Sequence, residues 1–435
     1  MPNSKSKLTA MLGIGLAMTG MAVAQSSDSN QALINALIKK GVLSDQEAKD
    51  ITAEIAKEQS AAGVQGNGDK FLQKLTFSSR FQTQYVGLDT QISGVAHNPV
   101  YTEHFLLRRM LFGVNAQFGD GLSSTVVYDL SNDSFDKAVL TWKQSDRAIL
   151  DVGLAKAPFG YEESAIGSGD LKAIERSEIT RYIDEANNGR RLGAASYRTG
   201  VFLHGSESGF FYNIAVTNPE RNEYSGDSTN TAILVNTSGG VGSTGGAATN
   251  KVAYYGTGGY GGSYTENAVT IKYKFGYEYG FDPDQGGPGA TIGTGRNISL
   301  NGGYVDLSLN NLSVVAEFEQ ANDDSGIANH VNAKPHGFWV QPSYKITPQW
   351  EAVVQYSTVN SDGRGVALSD VVRSAPSGGT METSDEWYFG GNWYIKGNDV
   401  KLQAGYIHAD SNKTLAGAAA TAQTNGVRSQ LQFQF

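Results

Sequence analysis

Arg80, Arg109, Lys137, Lys143, Lys272, Lys274, Lys345, Lys401 and Arg428 lie on the polar side of segments in which apolar and polar residues alternate. Cations fixed along one wetted surface have a defined chemistry. Each replaces part of an anion's hydration shell, and several weak sites in series let the ion move on. The same parity places Asp129, Glu278, Glu317, Glu319 and Glu351 on that side, so the surface is of mixed charge. Signals for catalysis are weak. The histidines at 97, 104, 204, 330, 336 and 408 have no metal-ligand spacing. Gly256-Thr257-Gly258-Gly259-Tyr260-Gly261 spells a dinucleotide fingerprint, but no helical pattern follows it, and it is expected to be a surface loop. Gly205-Ser206-Glu207-Ser208-Gly209 holds glutamate where a nucleophile elbow needs serine. Asp282-Pro283-Asp284-Gln285-Gly286 lacks the later ligands of a calcium loop and reads as a turn, and Asp323-Asp324 reads as a solvated loop. No catalytic residue, cofactor or metal is expected. His204 beside Ser206 and Ser208 is the only local hint of a hydrolase.

The elements that position these cations are strands. In Val427-Arg428-Ser429-Gln430-Leu431-Gln432-Phe433-Gln434-Phe435, apolar residues hold every odd position except Ser429, while Arg or Gln holds the even ones. Strand side chains point alternately to the two faces, so one face is greasy and the other wet. Leu75, Phe77, Phe81 and Tyr85 follow the same rule, as do Met110, Phe112, Val114, Ala116 and Phe118. Further runs cover 137–143, 149–156, 210–217, 271–279, 312–320, 338–345, 350–356, 388–395 and 400–408. Some are joined by short turns, such as Gly119-Asp120-Gly121 and Thr347-Pro348. Others are separated by long polar stretches at 220–250 and 368–385. Short turns at one end and long loops at the other are the asymmetry of an outer-membrane barrel, and the available length suits about 16 strands.

Composition agrees. The 435 residues include 53 Gly, 21 Tyr and 18 Phe but only 10 Pro, which suits turns, aromatic girdles and uninterrupted strands. Cysteine is absent, so no disulfide braces the chain. No apolar run after the leader is long enough for a spanning helix, so membrane entry requires a closed barrel, with every backbone group paired. A net charge of −9 argues against nucleic acid, which needs a basic footprint. Lys5 and Lys7 precede an apolar run from Leu8 to Val23 and the small-residue site Ala22-Val23-Ala24, so residues 1–24 are expected to be a signal peptide. Residues 25–58 are expected to form a periplasmic helical hairpin. Leu33, Ile34, Leu37 and Ile38 recur at helical spacing, Gly41 closes the first helix, and Ser44 with Glu47 caps the second. Its segment 30–58 could contact the cell wall, other copies, or only pack as a spacer. A Gly-rich linker follows at 59–70, then the barrel at 71–435.

The stretch Val152-Gly153-Leu154-Ala155-Lys156-Ala157-Pro158-Phe159-Gly160-Tyr161-Glu162 resembles the "GQ-x-K-x-PFG-x-E" pattern of the phosphate-selective porin O and P family. Glu175-Arg176-Ser177 is similar to its "ERS" element, and Gly189-Arg190-Arg191-Leu192-Gly193 to its "GRDLG". Arg108-Arg109-Met110-Leu111-Phe112-Gly113, Asn392-Trp393-Tyr394 and the closing strand are similar to further parts of the pattern. These elements in the right order over residues 70–435 make the resemblance specific. It implies a 16-stranded barrel, usually trimeric, with an inward-folded loop narrowing each pore and with arginine and lysine ladders that pass phosphate. It also implies that Lys156, Lys172, Arg176 and Arg181 lie on or near the inward loop as constriction candidates. The mixed-charge wall departs from an uninterrupted arginine ladder. The expectation is therefore an all-β outer-membrane porin of a Gram-negative-type bacterium, passing small hydrophilic solutes with a preference for anions, phosphate among them. A weakly selective or cation-preferring porin with an envelope-anchoring role and an outer-membrane hydrolase stay open as alternatives.

Overall fold

The computed structural model describes residues 72–94, 100–185, 192–219, 252–283, 297–327, 331–367, 380–415 and 418–435. The expected signal peptide, helical hairpin and linker lie outside the described residues. Sixteen strands follow one another antiparallel: β1 (Leu72–Ser93), β2 (Val100–Phe118), β3 (Leu122–Asp129), β4 (Ser134–Ser145), β5 (Ala148–Lys156), β6 (Tyr197–Glu207), β7 (Phe210–Thr217) and β8 (Ala253–Glu266), then β9 (Val269–Asp282), β10 (Ile298–Leu309), β11 (Leu312–Ile327), β12 (His336–Thr347), β13 (Trp350–Asn360), β14 (Thr383–Asn398), β15 (Val400–Leu415) and β16 (Ala418–Gln434). Val331–Ala333 extends β12 along β11, and Val366–Ala367 pairs separately with Thr380–Met381.

Each strand pairs with its sequence neighbours, and β1 pairs with β16 from Arg80↔Gln434 to Ser93↔Thr421. The ladder is thus closed. Ser79 and Phe435 exchange both backbone hydrogen bonds at 3.1 Å, so the apolar–polar rhythm of β16 is locked in register to the last residue. Closure removes the sheet edges that lipid could not satisfy. No helix among the described residues is long and apolar enough to cross a membrane.

Alternation sets the two faces. Val427, Leu431 and Phe433 are exposed on the outside, whereas Arg428, Gln430 and Gln432 are buried inside. Phe318, Phe338 and Phe389 continue the outer apolar surface. Connections of one to three residues all fall at one end, while β3 and β4 are joined at the other by residues 130–133. Ser208 and Gly209 have φ of 50° and 89°, and Asn267 and Ala268 of 46° and 64°. This left-handed conformation lets a two-residue turn match the twist of its strands.

Three expectations are corrected. Residues 256–261, expected as a surface loop, lie inside β8 and pair with both β7 and β9. Their glycines reflect crowding between strands: a Cβ at Gly259 would collide with the Phe275 carbonyl. Asp323-Asp324 is not a solvated loop but part of β11, with Asp323 fully buried against Arg364. The long gap expected to reach Asp385 ends earlier, since β14 begins at Thr383.

Candidate functional site

In the connection from β5 to β6, the described residues 157–185 and 192–196 turn into the barrel. Pro158 cannot continue the ladder and restricts Ala157 before it. Gly160, at φ 72°, then starts a single helical turn, α1 (Tyr161–Ser164). Ser177 caps α2 (Glu178–Ile183) by accepting from the Thr180 N–H. The loop's apolar residues Phe159, Ile174, Ile179 and Ile183 are buried against Tyr304, Trp339, Val353 and Ile407 of the inner wall. A barrel of this size would otherwise enclose water. Here the hydrophobic core forms between loop and wall.

Polar contacts fix the loop at two levels. Near α1, Glu317 of β11 accepts from the backbone N–H groups of Tyr161 and Glu162 and from Trp339 Nε1 at 2.9 Å. Glu278 of β9 accepts from the Gly160 N–H at 2.7 Å. Two wall carboxylates thereby satisfy the donors that a helix start leaves unpaired. Farther along, the wall donates instead. Lys401 Nζ reaches the carbonyls of Gly169 and Leu171 at 2.7 and 2.9 Å. Gln82 and Gln432 bind the carbonyls of Ser168 and Gly169, while Gln403 and Asn392 bind that of Lys172. Arg80 reaches the Ser168 hydroxyl at 2.7 Å.

The expected constriction cations are on or beside this loop, and most face carboxylates. Lys156 and Arg176 grip the two oxygens of Glu163 at 2.9 and 2.7 Å. Lys172 pairs with Glu351 at 3.1 Å and Arg181 with Glu386 at 2.8 Å. Burial pushes the Glu163 carboxyl up, but Arg176 and Lys156 outweigh it and hold the group below the ordinary carboxylate range. Arg109 donates to Gln82 at 2.9 Å, while Arg428 lies 3.8 Å from Glu175. Lys137 faces the lumen, and Lys143 sits exposed at the turn end beside Asp146.

Strict parity missed one inward cation. Phe105 and Leu107 are exposed outside, yet Arg108 reaches Glu175 at 2.8 Å and Arg109 is also buried. The alternation slips by one residue there, as at a β-bulge, so both arginines point inward. An arginine pair within an otherwise alternating run was the available signal. The loop carboxylates Glu163 and Glu175 carried no such signal, nor did the buried pairs Arg198–Asp282 and Arg364–Asp323.

The model of one protein family, phosphate-selective porin O and P, matches residues 77–435. The chain belongs to this family. No curated protein sequence matches it. Among solved structures it is similar to a loop-deletion form of OmpT, an outer membrane protein of Vibrio cholerae, at TM-score 0.50 and 12% identity, covering 83% of this chain and 99% of that one. An anion-selective porin from Comamonas acidovorans gives 0.49 and 10%, covering 83% and 99%. The outer membrane channel DcaP of Acinetobacter baumannii gives 0.47 and 11%, covering 83% and 96%. The protein is an outer-membrane porin of a Gram-negative bacterium through which small solutes diffuse. Its short turns therefore mark the periplasmic end.

In this porin the loop lies against β1, β2 and β9–β16, while the inner face of β4–β10 keeps contact with solvent. Lys137, His204, Asn213, Thr257, Lys274 and Asp306 are all partly exposed there. Lys274 Nζ lies 4.7 and 4.9 Å from the ring centres of Phe211 and Tyr161. Tyr161 stacks on Tyr304 at 3.9 Å and donates to Asp306 at 2.8 Å. At the periplasmic mouth a cavity of ≈ 880 Å³ is lined by Thr270, Lys272, Ser308, Asn310, Asn311 and Tyr344, among others.

Gly160 is the hinge of this arrangement. A Cβ there would collide with the Asp184 carboxylate, and its positive φ disfavours any side chain. Gly160→Ala is expected to weaken loop seating by about 1–3 kcal/mol. Faster cleavage within the loop by added protease, with the barrel intact, is the readout. Unchanged protection would remove Gly160 from this role.

Proposed function

We propose that the porin passes small hydrophilic anions, phosphate among them, in preference to cations, and that it works as a homotrimer, as the family resemblance implies. The observation supporting anion preference is the balance of charge along the wetted face. Lys137 and Lys272 have no ion pair among the described residues, and Lys274 is surrounded by rings. The carboxylates on that face are engaged: Asp136 by Tyr197, Asp151 by Thr141 and His204, and Asp306 by Tyr161. Unpaired lysines beside engaged carboxylates leave the cations freer to replace an anion's water. In this reading Lys156, Arg176, Lys172 and Arg181 hold the constriction in shape through their carboxylates. Arg80, Arg109 and Arg428 add positive potential from the opposite wall.

His204 rests on Asp151 at 3.4 Å. Reversal potential across a planar bilayer under a KCl gradient tests the proposal. An anion-selective potential that falls toward zero in a Lys137→Gln/Lys274→Gln variant is expected. A cation-selective potential that the two substitutions leave unchanged would overturn it and favour the cation-preferring alternative.

A further inference from the structure

We infer that the inward loop is a proton-locked plug: Asp184 on the loop, facing Glu278, Glu317 and Glu319 of the wall, holds it seated while it carries a proton, and loss of that proton releases it and widens the pore. The inference rests on the channel reading but not on the direction of ion selectivity.

Asp184 follows α2 and is fully buried, and neither of its side-chain oxygens has a hydrogen-bond partner among the described residues. It packs against Gly160, whose N–H is held by Glu278. Glu278 has a second, buried oxygen without a partner, and so does Glu319, whose other oxygen accepts from the Thr180 hydroxyl at 3.1 Å. Four carboxyl groups thus meet where the loop touches β9 and β11. Among the described residues no cation forms an ion pair with any of the four. Arg176 and Lys156 are engaged by Glu163 on α1, and Lys274, on the same strand as Glu278, lies among aromatic rings. Glu162, also on α1, is itself engaged by the Ser177 N–H and Gln355. Among the described residues no three such groups are placed to share a metal ion. Protons are the remaining way to neutralise buried carboxylates at this spacing.

Burial, and then the charges of Glu319, Glu317, Glu163 and Glu278, push the Asp184 carboxyl well above its ordinary range. The seated loop therefore binds a proton that a released, solvated Asp184 would lose at ordinary carboxylate pH. Seating is strongest in acid and weakens steadily as pH rises toward the elevated value. Glu163 acts oppositely, since its lowered range costs seating only in strong acid.

Single-channel conductance of the full-length porin, measured from about pH 5 to about pH 9, tests this. A severalfold rise toward alkaline pH is expected. Asp184→Asn keeps the shape but cannot ionise, and should hold conductance at the acid level throughout. Glu319→Gln, on the wall, should reduce the rise and serves if the first variant does not fold. Each variant is read only as the heat-modifiable folded barrel. Flat conductance in the unmodified porin, or a folded variant that rises as the unmodified porin does, would overturn the inference. The reversal potential at fixed pH reads selectivity separately, so either proposal can fail alone.

Discussion

Replacing residues 161–183 with a short Gly-Ser linker is expected to raise single-channel conductance severalfold and to weaken ion selectivity in the same molecule. The removed segment contains both helices, and almost all of its side chains pack inside the barrel. A closed barrel of sixteen strands has room for an aqueous channel once nothing fills it. The ladder itself does not depend on the loop, because β1 pairs with β16 along its length and every strand with its neighbours. The variant should still fold, at lower stability, since Ile174, Ile179 and Ile183 leave the apolar cluster they share with Trp339 and Ile407. The diagnostic pair is conductance against heat-modified mobility on a gel. A folded variant conducting no better than the parent would mean that the described loop is not the constriction.

Glu175→Ala should give the largest loss of stability from a single substitution. This carboxylate accepts from Arg108 Nε at 2.8 Å and from Gln84 at 2.9 Å, with Arg428 at 3.8 Å. Its removal strips the shared counter-charge from two buried arginines, with Arg109 and its own charge next in the chain. Breaking a buried pair on one side costs about 3–5 kcal/mol, because the remaining charge has lost both water and its partner. The folded band should disappear at a clearly lower temperature. Glu175→Gln, which keeps the Arg108 contact as a neutral hydrogen bond, should lie between. Reversal potentials of surviving barrels should move toward anions, because one negative charge beside Arg108 and Arg428 has been removed. A melting temperature unchanged by Glu175→Ala would show that Arg108 and Arg428 are served by water, and would remove Glu175 from the account of loop docking.

The alternation in Val427 to Phe435 was enough to place Arg428, Gln430 and Gln432 on the wet face and Leu431 and Phe433 toward lipid, because a strand has only two faces. The same rule located most strands and the inward carboxylates Glu278, Glu317, Glu319 and Glu351. It failed at Arg108, where one slipped residue turns a second arginine inward, and at Asp323, where polarity suggested a loop although Arg364, on the connection after β13, meets it at 3.1 Å. Glycine content misled at residues 256–261 for a similar reason, since the crowding that demands glycine comes from neighbouring strands.

Period-two patterning by itself determined the run of strands, the lipid face and most of the charges that point inward, because these are properties of each strand alone. The tertiary structure decided what those charges do. Arg181 meets Glu386 and Lys172 meets Glu351 only after the chain has closed on itself and the β5–β6 loop has entered the lumen. A strand specifies which way a side chain points. Whether it then meets a solute, a carboxylate or a carbonyl depends on what a distant segment places opposite it.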